Sequence, residues 1–218
     1  SKKPIVQIQD RNGNIVDKFN SNLEKKKQYP IVGLIDNGSA SAAEILSGAL
    51  KEAGGYPLVG VKTFGKGTVQ QAVNFKTDKS ELKLTMYKWL TPDGNWIHEK
   101  GIEPTLKVEQ PEYFFTSPMT VEKDKPLKFD MNNEQIANAQ KMLKGLGFNP
   151  GRTDGYYDEG TKLAVKAFQK TNGLTESGQI DSATAEKIDA NILDAVNDPK
   201  NDLQLQAAMK LLDKELAQ

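Results

Sequence analysis

Residues 31–64, IVGLIDNGSASAAEILSGALKEAGGYPLVGVKTF, decide the fold. The apolar run IVGLID has the character of a buried parallel strand. Small residues and serines follow it, then an amphipathic stretch, a glycine pair and a second apolar run, YPLVGVKTF. This order predicts a βαβ unit with its serines at the strand-to-helix junction. Ser41-Ala42-Ala43-Glu44 fits the capping box, in which a hydroxyl and a carboxylate three residues on satisfy two orphan amides. Ile45, Leu46, Ala49 and Leu50 continue at helical spacing, and Gly54-Gly55 is the stop signal. Read locally, Ser41 is a helix cap; a catalytic serine would need a partner base.

Upstream, PIVQIQDRNGNIVDKF predicts two strands around an Asn12-Gly13 turn, and SNLEKKKQYP a charged loop. Downstream, residues 70–109 read as alternating strands interrupted by a Pro92-Asp93-Gly94 turn. Proline, lysine and acidic residues break the apolar pattern over about 109–130, which reads as a linker. Three helices then follow, on Ile136, Ala139, Leu143 and Leu146, on Leu163, Ala164, Ala167 and Phe168, and from a cap at Asp181 or Ser182. An amphipathic tail helix runs through Leu205, Ala208, Met209, Leu212 and Leu216.

The 218 residues carry 29 basic and 29 acidic side chains, so no global charge favours nucleic acid or an anionic membrane. The absence of cysteine removes disulfides, thiol catalysis and thiolate metal sites, and a single histidine, His98, rules out a multi-histidine metal centre. No apolar run approaches the ~18–20 residues of a membrane span, so any signal or anchor is expected outside this chain. No cofactor or metal is expected; Asp154 to Asp158 lacks the alternating ligands and closing glutamate of a calcium loop.

Three chemistries compete in the first part. Gly60 to Lys66 has the G-x-x-x-x-G-K frame of a phosphate loop, but Gly67 stands where Ser or Thr would hold magnesium, and an extended stretch follows instead of a helix. A Ser-His-Asp triad would use His98, which sits in a polar turn and reads as solvated surface. The third is a serine activated by lysine. A neutral amine can take the serine proton once burial or a neighbouring cation lowers its pKa from ~10.4. Lys66, between Gly65 and Gly67, is the candidate, against the plain alternative of a solvated turn lysine.

GSASAAEI (38–45), FGKGTVQQ (64–71) and YKWLTPDGNWIHEKGIEP (87–104) together resemble the C-terminal processing peptidases, or tail-specific proteases, over about residues 4–108. The resemblance implies that Ser41, the second serine of S-A-S-A, is the nucleophile rather than Ser39. It makes Lys66, twenty-five residues on, the general base and Gln70 the residue that orients its amine. The Ala42 amide at the helix start would serve the oxyanion. Ala43 replaces the third serine of the family pattern, a position outside the reaction. The family also has a PDZ domain and an earlier half of the core that supplies a second oxyanion amide. The resemblance therefore implies the C-terminal half of a longer enzyme, with this chain alone inactive.

Residues 133–193 resemble the peptidoglycan-binding-domain family, and Gly151, Asp154 and Gly155 carry its loop and are candidate ligand-binding residues; Leu163 and Phe168 read as core. The expected fold class is an α/β protease-core fragment, a βαβ unit with a mixed sheet, plus a small three-helix peptidoglycan-binding domain and a C-terminal helix. The expected boundaries are 1–128, 129–193 and 194–218. The resemblance implies a serine endopeptidase cleaving proteins near their C-termini. Its partners would be peptide substrates and peptidoglycan, with a homodimer through the tail helix and no nucleic acid. Its expected place is extracytoplasmic, membrane-anchored or wall-associated. The alternative is a catalytically inactive peptidoglycan-binding scaffold.

Overall fold

The computed structural model describes residues 3–75 and 80–217, and its first segment folds as the hairpin its turn predicts. Strands β1 (Pro4–Gln9) and β2 (Ile15–Asn20) pair antiparallel. Between them Asp10 Oδ1 accepts the amides of Asn12 and Asn14 at 2.9 and 2.8 Å, and Gly13 takes φ +90°. The βαβ unit follows as β3 (Gly33–Ile35), α1 (Ala42–Gly48) and β4 (Leu58–Gly60), with β3 and β4 parallel. One π-helical turn, Ala49–Ala53, extends α1 to the glycine pair.

Thr68–Asn74 (β5) and Glu81–Leu90 (β6) form a long antiparallel ribbon, and Leu106–Lys107 (β7) is a short strand. Residues 76–79, within the predicted alternation, lie outside the described residues. The strands divide into two sheets rather than the single mixed sheet expected. One is antiparallel in the order β2-β1-β6-β5; the other is parallel, β3-β4-β7. Val6, Ile35, Leu58, Trp89, Ile97 and Ile102 bury together as their core.

The described residues group into two compact units, 1–109 with 204–218, and 110–203. The second contains α2 (Glu134–Gly145), α3 (Glu159–Thr171) and α4 (Ser182–Asn197), capped by Asn133, Asp158 and Asp181 side chains. Part of the stretch read as a linker is core here: Tyr113 and Leu127 bury with Ile136, Leu143, Phe168 and Ile188. Helix α4 runs past residue 193 without a break. The tail helix α5 (Leu203–Leu216) belongs, from Gln204 on, to the first unit, where Gln204 Nε2 donates to Val108 O at 2.9 Å and Ala208 is buried.

The face of α3 differs from the one expected. Thr161, Ala164, Val165, Phe168 and Gln169 are buried, while Leu163 is 60% exposed, so its reading as core is corrected. The cause is two buried polar residues with full partners. Gln140 Nε2 donates to Thr161 Oγ1 at 2.8 Å, and Gln169 bonds Gly178 N, Gln179 O and Thr184 Oγ1 at 2.8–3.1 Å. Hydrogen-bonded polar groups can occupy a core, and an apolar-only count passes them over. Among the described residues no helix is long and apolar enough to cross a membrane.

Candidate active site

Strand β3 ends in a turn closed by Ser39. Its Oγ donates to Asp36 Oδ1 at 2.8 Å and accepts the Asp36 amide at 3.0 Å, so this hydroxyl is committed to the turn. Ser41, two residues on, sits at φ 54°, ψ −110°, immediately before α1. A non-glycine residue in this sparsely populated region costs ~1–3 kcal/mol and persists where its surroundings hold it. Here they do: the Ser41 amide donates to Glu44 Oε2 at 2.9 Å, and its carbonyl accepts the amides of Glu44 and Ile45. A serine on a sharp, strained strand-to-helix turn is the geometry of a nucleophile elbow. Ala42 opens α1, at the position whose amide the helix ladder leaves unpaired.

The second component is the loop from Thr63 to Gly67. A Cβ on Gly65, at φ +92°, would lie 2.9 Å from Gly101 N, and one on Gly67 would lie 2.8 Å from His98 N, so close backbone approach requires both glycines. The carbonyls are anchored in turn. Lys66 O accepts from Trp89 Nε1 and Gly67 O from Trp96 Nε1, each at 2.9 Å, while Gly65 O accepts the Glu99 amide at 2.8 Å. Lys66 thus rises from a rigid backbone, with its side chain exposed. His98 is not the solvated surface group expected. It is half-buried, with Nδ1 3.2 Å from Gly65 O, and it buttresses this loop.

The two components meet at Glu44, a residue the sequence showed only as the third position of a capping box. It is fully buried. Oε2 accepts the amides of Ser41 (2.9 Å) and Lys66 (2.8 Å), and Oε1 accepts the Gly65 amide (2.7 Å) and Thr63 Oγ1 (2.6 Å). Four donors are what a buried carboxylate needs to replace its water. Thr63 extends the set: its Oγ1 accepts the Ile102 amide at 2.7 Å. All three motifs therefore converge on Glu44 and Thr63. The arrangement also disposes of the phosphate-loop reading, because the Gly65 and Lys66 amides that would cradle phosphate are occupied by a carboxylate of the chain itself.

Gln70 lies on β5 opposite Thr85, its Nε2 3.5 Å from Thr85 Oγ1, and its side chain is exposed. The backbones of Ser41 and Lys66 are thus brought together, while Gln70 faces its ribbon partner. In the second unit, Asp154 is gripped by Arg152, which holds its carboxyl at about 2. The Gly155 amide donates to Gln140 Oε1 at 2.9 Å, and a Cβ there would lie 2.6 Å from Asn133 O. Gly151 takes φ +82° in an exposed turn. Asp154 and Gly155 have evident work in the fold. Among the described residues no three His, Cys, Asp or Glu side chains cluster as a metal site.

Residues 1–108 match the family described as "Peptidase family S41", and residues 132–188 the one described as "Putative peptidoglycan binding domain". The chain is 55% identical over 210 residues to carboxy-terminal processing protease CtpB of Bacillus subtilis (strain 168), covering 96% of this chain and 43% of that protein. It is 40% identical over 214 residues to CtpA of the same organism, covering 98% of this chain and 44% of that protein. Among solved structures, the photosystem II D1 C-terminal processing protease aligns with 49% of this chain and 28% of its own at 33% identity and a TM-score of 0.45. The chain thus spans less than half the length of the curated relatives named.

Proposed function

Residues 1–108 belong to peptidase family S41, and from that premise we propose that they carry the nucleophile and base of a serine endopeptidase of the carboxy-terminal processing type. Ser41 Oγ attacks the scissile carbonyl while Lys66 Nζ takes its proton. The oxyanion forms against the Ala42 amide, and the leaving amine recovers the proton as the acyl-enzyme forms. Water then attacks the ester by the same path in reverse. Gln70 orients the amine, which requires it to leave Thr85 when substrate or the remainder of a longer chain is in place.

The observation that carries this reading is the shared bond of the Ser41 and Lys66 amides to Glu44 Oε2, which fixes the elbow and the lysine loop side by side. Substrates are polypeptides cut near their C-termini. On this reading the domain at 132–188 holds the protease against peptidoglycan, and its match to a peptidoglycan-binding family supports an association with the cell envelope. The test is labelling of the full-length protein by a fluorophosphonate, with Ser41→Ala as the control. Labelling that persists in Ser41→Ala refutes the assignment. Absence of labelling in the unmutated protein favours the inactive scaffold, the reading to which the exposed Lys66 side chain lends support.

A further inference from the structure

The second unit contains a groove of about 230 Å³ lined by Lys128, Phe129, Lys162, Ser177, Gly178 and Gln179. We propose that this groove, and not the 151–155 loop, is where the unit holds peptidoglycan. It would seat one N-acetylated sugar on the Phe129 ring, with the acidic substituent of that sugar facing Lys162. The inference rests on the reading of this unit as a peptidoglycan-binding domain.

The groove is built rather than incidental. Its floor is the Ser177–Gln179 turn, fixed from beneath by Gln169, which is fully buried. Gln169 Nε2 donates to Ser177 Oγ (3.1 Å) and Gln179 O (2.8 Å), and Oε1 accepts the Gly178 amide (2.9 Å). The Gly178 carbonyl accepts Tyr157 OH at 2.9 Å from the core. Gly178 takes φ +67°, and a Cβ there would lie 2.9 Å from Lys162 Cγ and 3.0 Å from Lys166 Cε, so a larger residue would fill the space. The opposite wall is tied to this turn by paired backbone bonds between Leu127 and Ile180, at 2.9 and 2.8 Å.

On that frame Phe129 is 51% exposed, and the Lys162 ammonium stands 5.9 Å from its ring centre and is ion-paired with Glu159 at 3.1 Å. A flat apolar face beside a positioned cation suits a pyranose carrying a carboxylate. A second groove of this unit, lined by Pro111, Tyr113, Lys141 and Lys144 among others, has a buried tyrosine in place of an exposed ring and so offers no platform.

The test is co-sedimentation of the 218-residue chain with insoluble peptidoglycan, stripped of anionic phosphate polymers, at two ionic strengths. Phe129→Ala and Lys162→Gln are expected each to weaken binding about 3- to 10-fold without lowering the unfolding midpoint. Asp154→Asn and Lys144→Gln should bind as the unmutated chain does. If the unmutated chain pellets and both groove variants pellet equally well, the groove assignment fails while the peptidoglycan reading stands. If the unmutated chain stays in solution, that reading fails and the groove with it. Binding seen only before stripping would show attraction of lysines to phosphate and overturn the proposal. Should Phe129→Ala unfold, line broadening or shifts of the Gly178 amide signal on titration with a soluble muropeptide decide; an unmoved signal overturns the site.

Discussion

The backbone amides of Ser41 and Lys66 share one acceptor, Glu44 Oε2, at 2.9 and 2.8 Å. This tie makes Glu44 the residue on which the site geometry depends. Glu44→Gln keeps the shape but replaces one acceptor oxygen by an NH2 group. With the NH2 at the Oε2 position the Ser41 and Lys66 amides face a donor; with it at Oε1 the Gly65 amide does, while the Thr63 hydroxyl can turn to accept. Each unmet donor in a buried site costs about 1–3 kcal/mol. Urea unfolding of the first unit should show that loss, and serine labelling of the full-length protein should fall with it. A variant as stable and as reactive as the unmutated protein would remove Glu44 from the account.

In the full-length protein the proposed mechanism expects Ser41→Ala and Lys66→Ala each to abolish turnover with the fold intact, and the double variant to be no worse than either single one. Residues that act as one unit give such non-additive losses. A further large loss on combining them would separate their roles. Gln70→Ala should be milder, since it acts on the orientation of the amine. Ser41→Gly should be inactive as well, yet at least as stable as Ser41→Ala, because glycine tolerates φ 54° without strain. Thermal unfolding of the two variants measures the difference.

Much of this was legible in the sequence because it is local. The Asn12-Gly13 hairpin, the β3-α1-β4 order and the glycine stop each depend on residues within a few positions of one another. Glu44 was legible only as a cap. Its other donors lie 19, 21 and 22 residues away, and no local pattern states that Thr63, Gly65 and Lys66 will turn back to it. The face of α3 was misjudged for the related reason that Thr161 and Gln169 are buried through partners on other segments. His98 was misjudged because its burial comes from Gly65, 33 residues earlier.

Asp189 should give the second unit a distinctive pH response. Its Oδ2 accepts the Met119 amide at 3.0 Å, while Oδ1 is buried with no hydrogen-bond partner among the described residues, and burial pushes its pKa up. An acid whose folded pKa lies above its unfolded value binds more protons when folded. Its penalty is therefore full above the raised value and fades as pH falls toward the unfolded one, near 3.8. Asp154 and Asp158, both lowered, act oppositely and lose their contribution in acid. Asp189→Asn should therefore stabilise the unit at pH 7. The gain should vanish near pH 4. Unfolding midpoints of the two proteins across that range check the sign, and a gain that grew in acid would reverse it.

The 218-residue chain by itself should show little or no peptidase activity, although Ser41, Lys66 and Gln70 are all present. In the proposed mechanism this chain supplies one oxyanion donor, the Ala42 amide, and removal of one donor from a two-donor oxyanion hole costs ~10²- to 10³-fold in turnover in well-studied serine enzymes. The base is further from readiness. Burial or a neighbouring cation is what activates an amine, and the Lys66 side chain is exposed. In the same unit Leu34, Val73, Leu82, Leu84 and Met86 are 40–48% exposed, apolar surface that the remainder of a longer chain would cover. The chain spans 43% of the length of CtpB, and the proposed mechanism assigns the second donor and the walls to the remainder of a longer chain. Mixing this chain with the complementary part of the full-length protein is the direct experiment. Activity that appears only on mixing supports completion of the site in trans, whereas strong hydrolysis by residues 1–218 alone would show that one donor and an exposed lysine suffice.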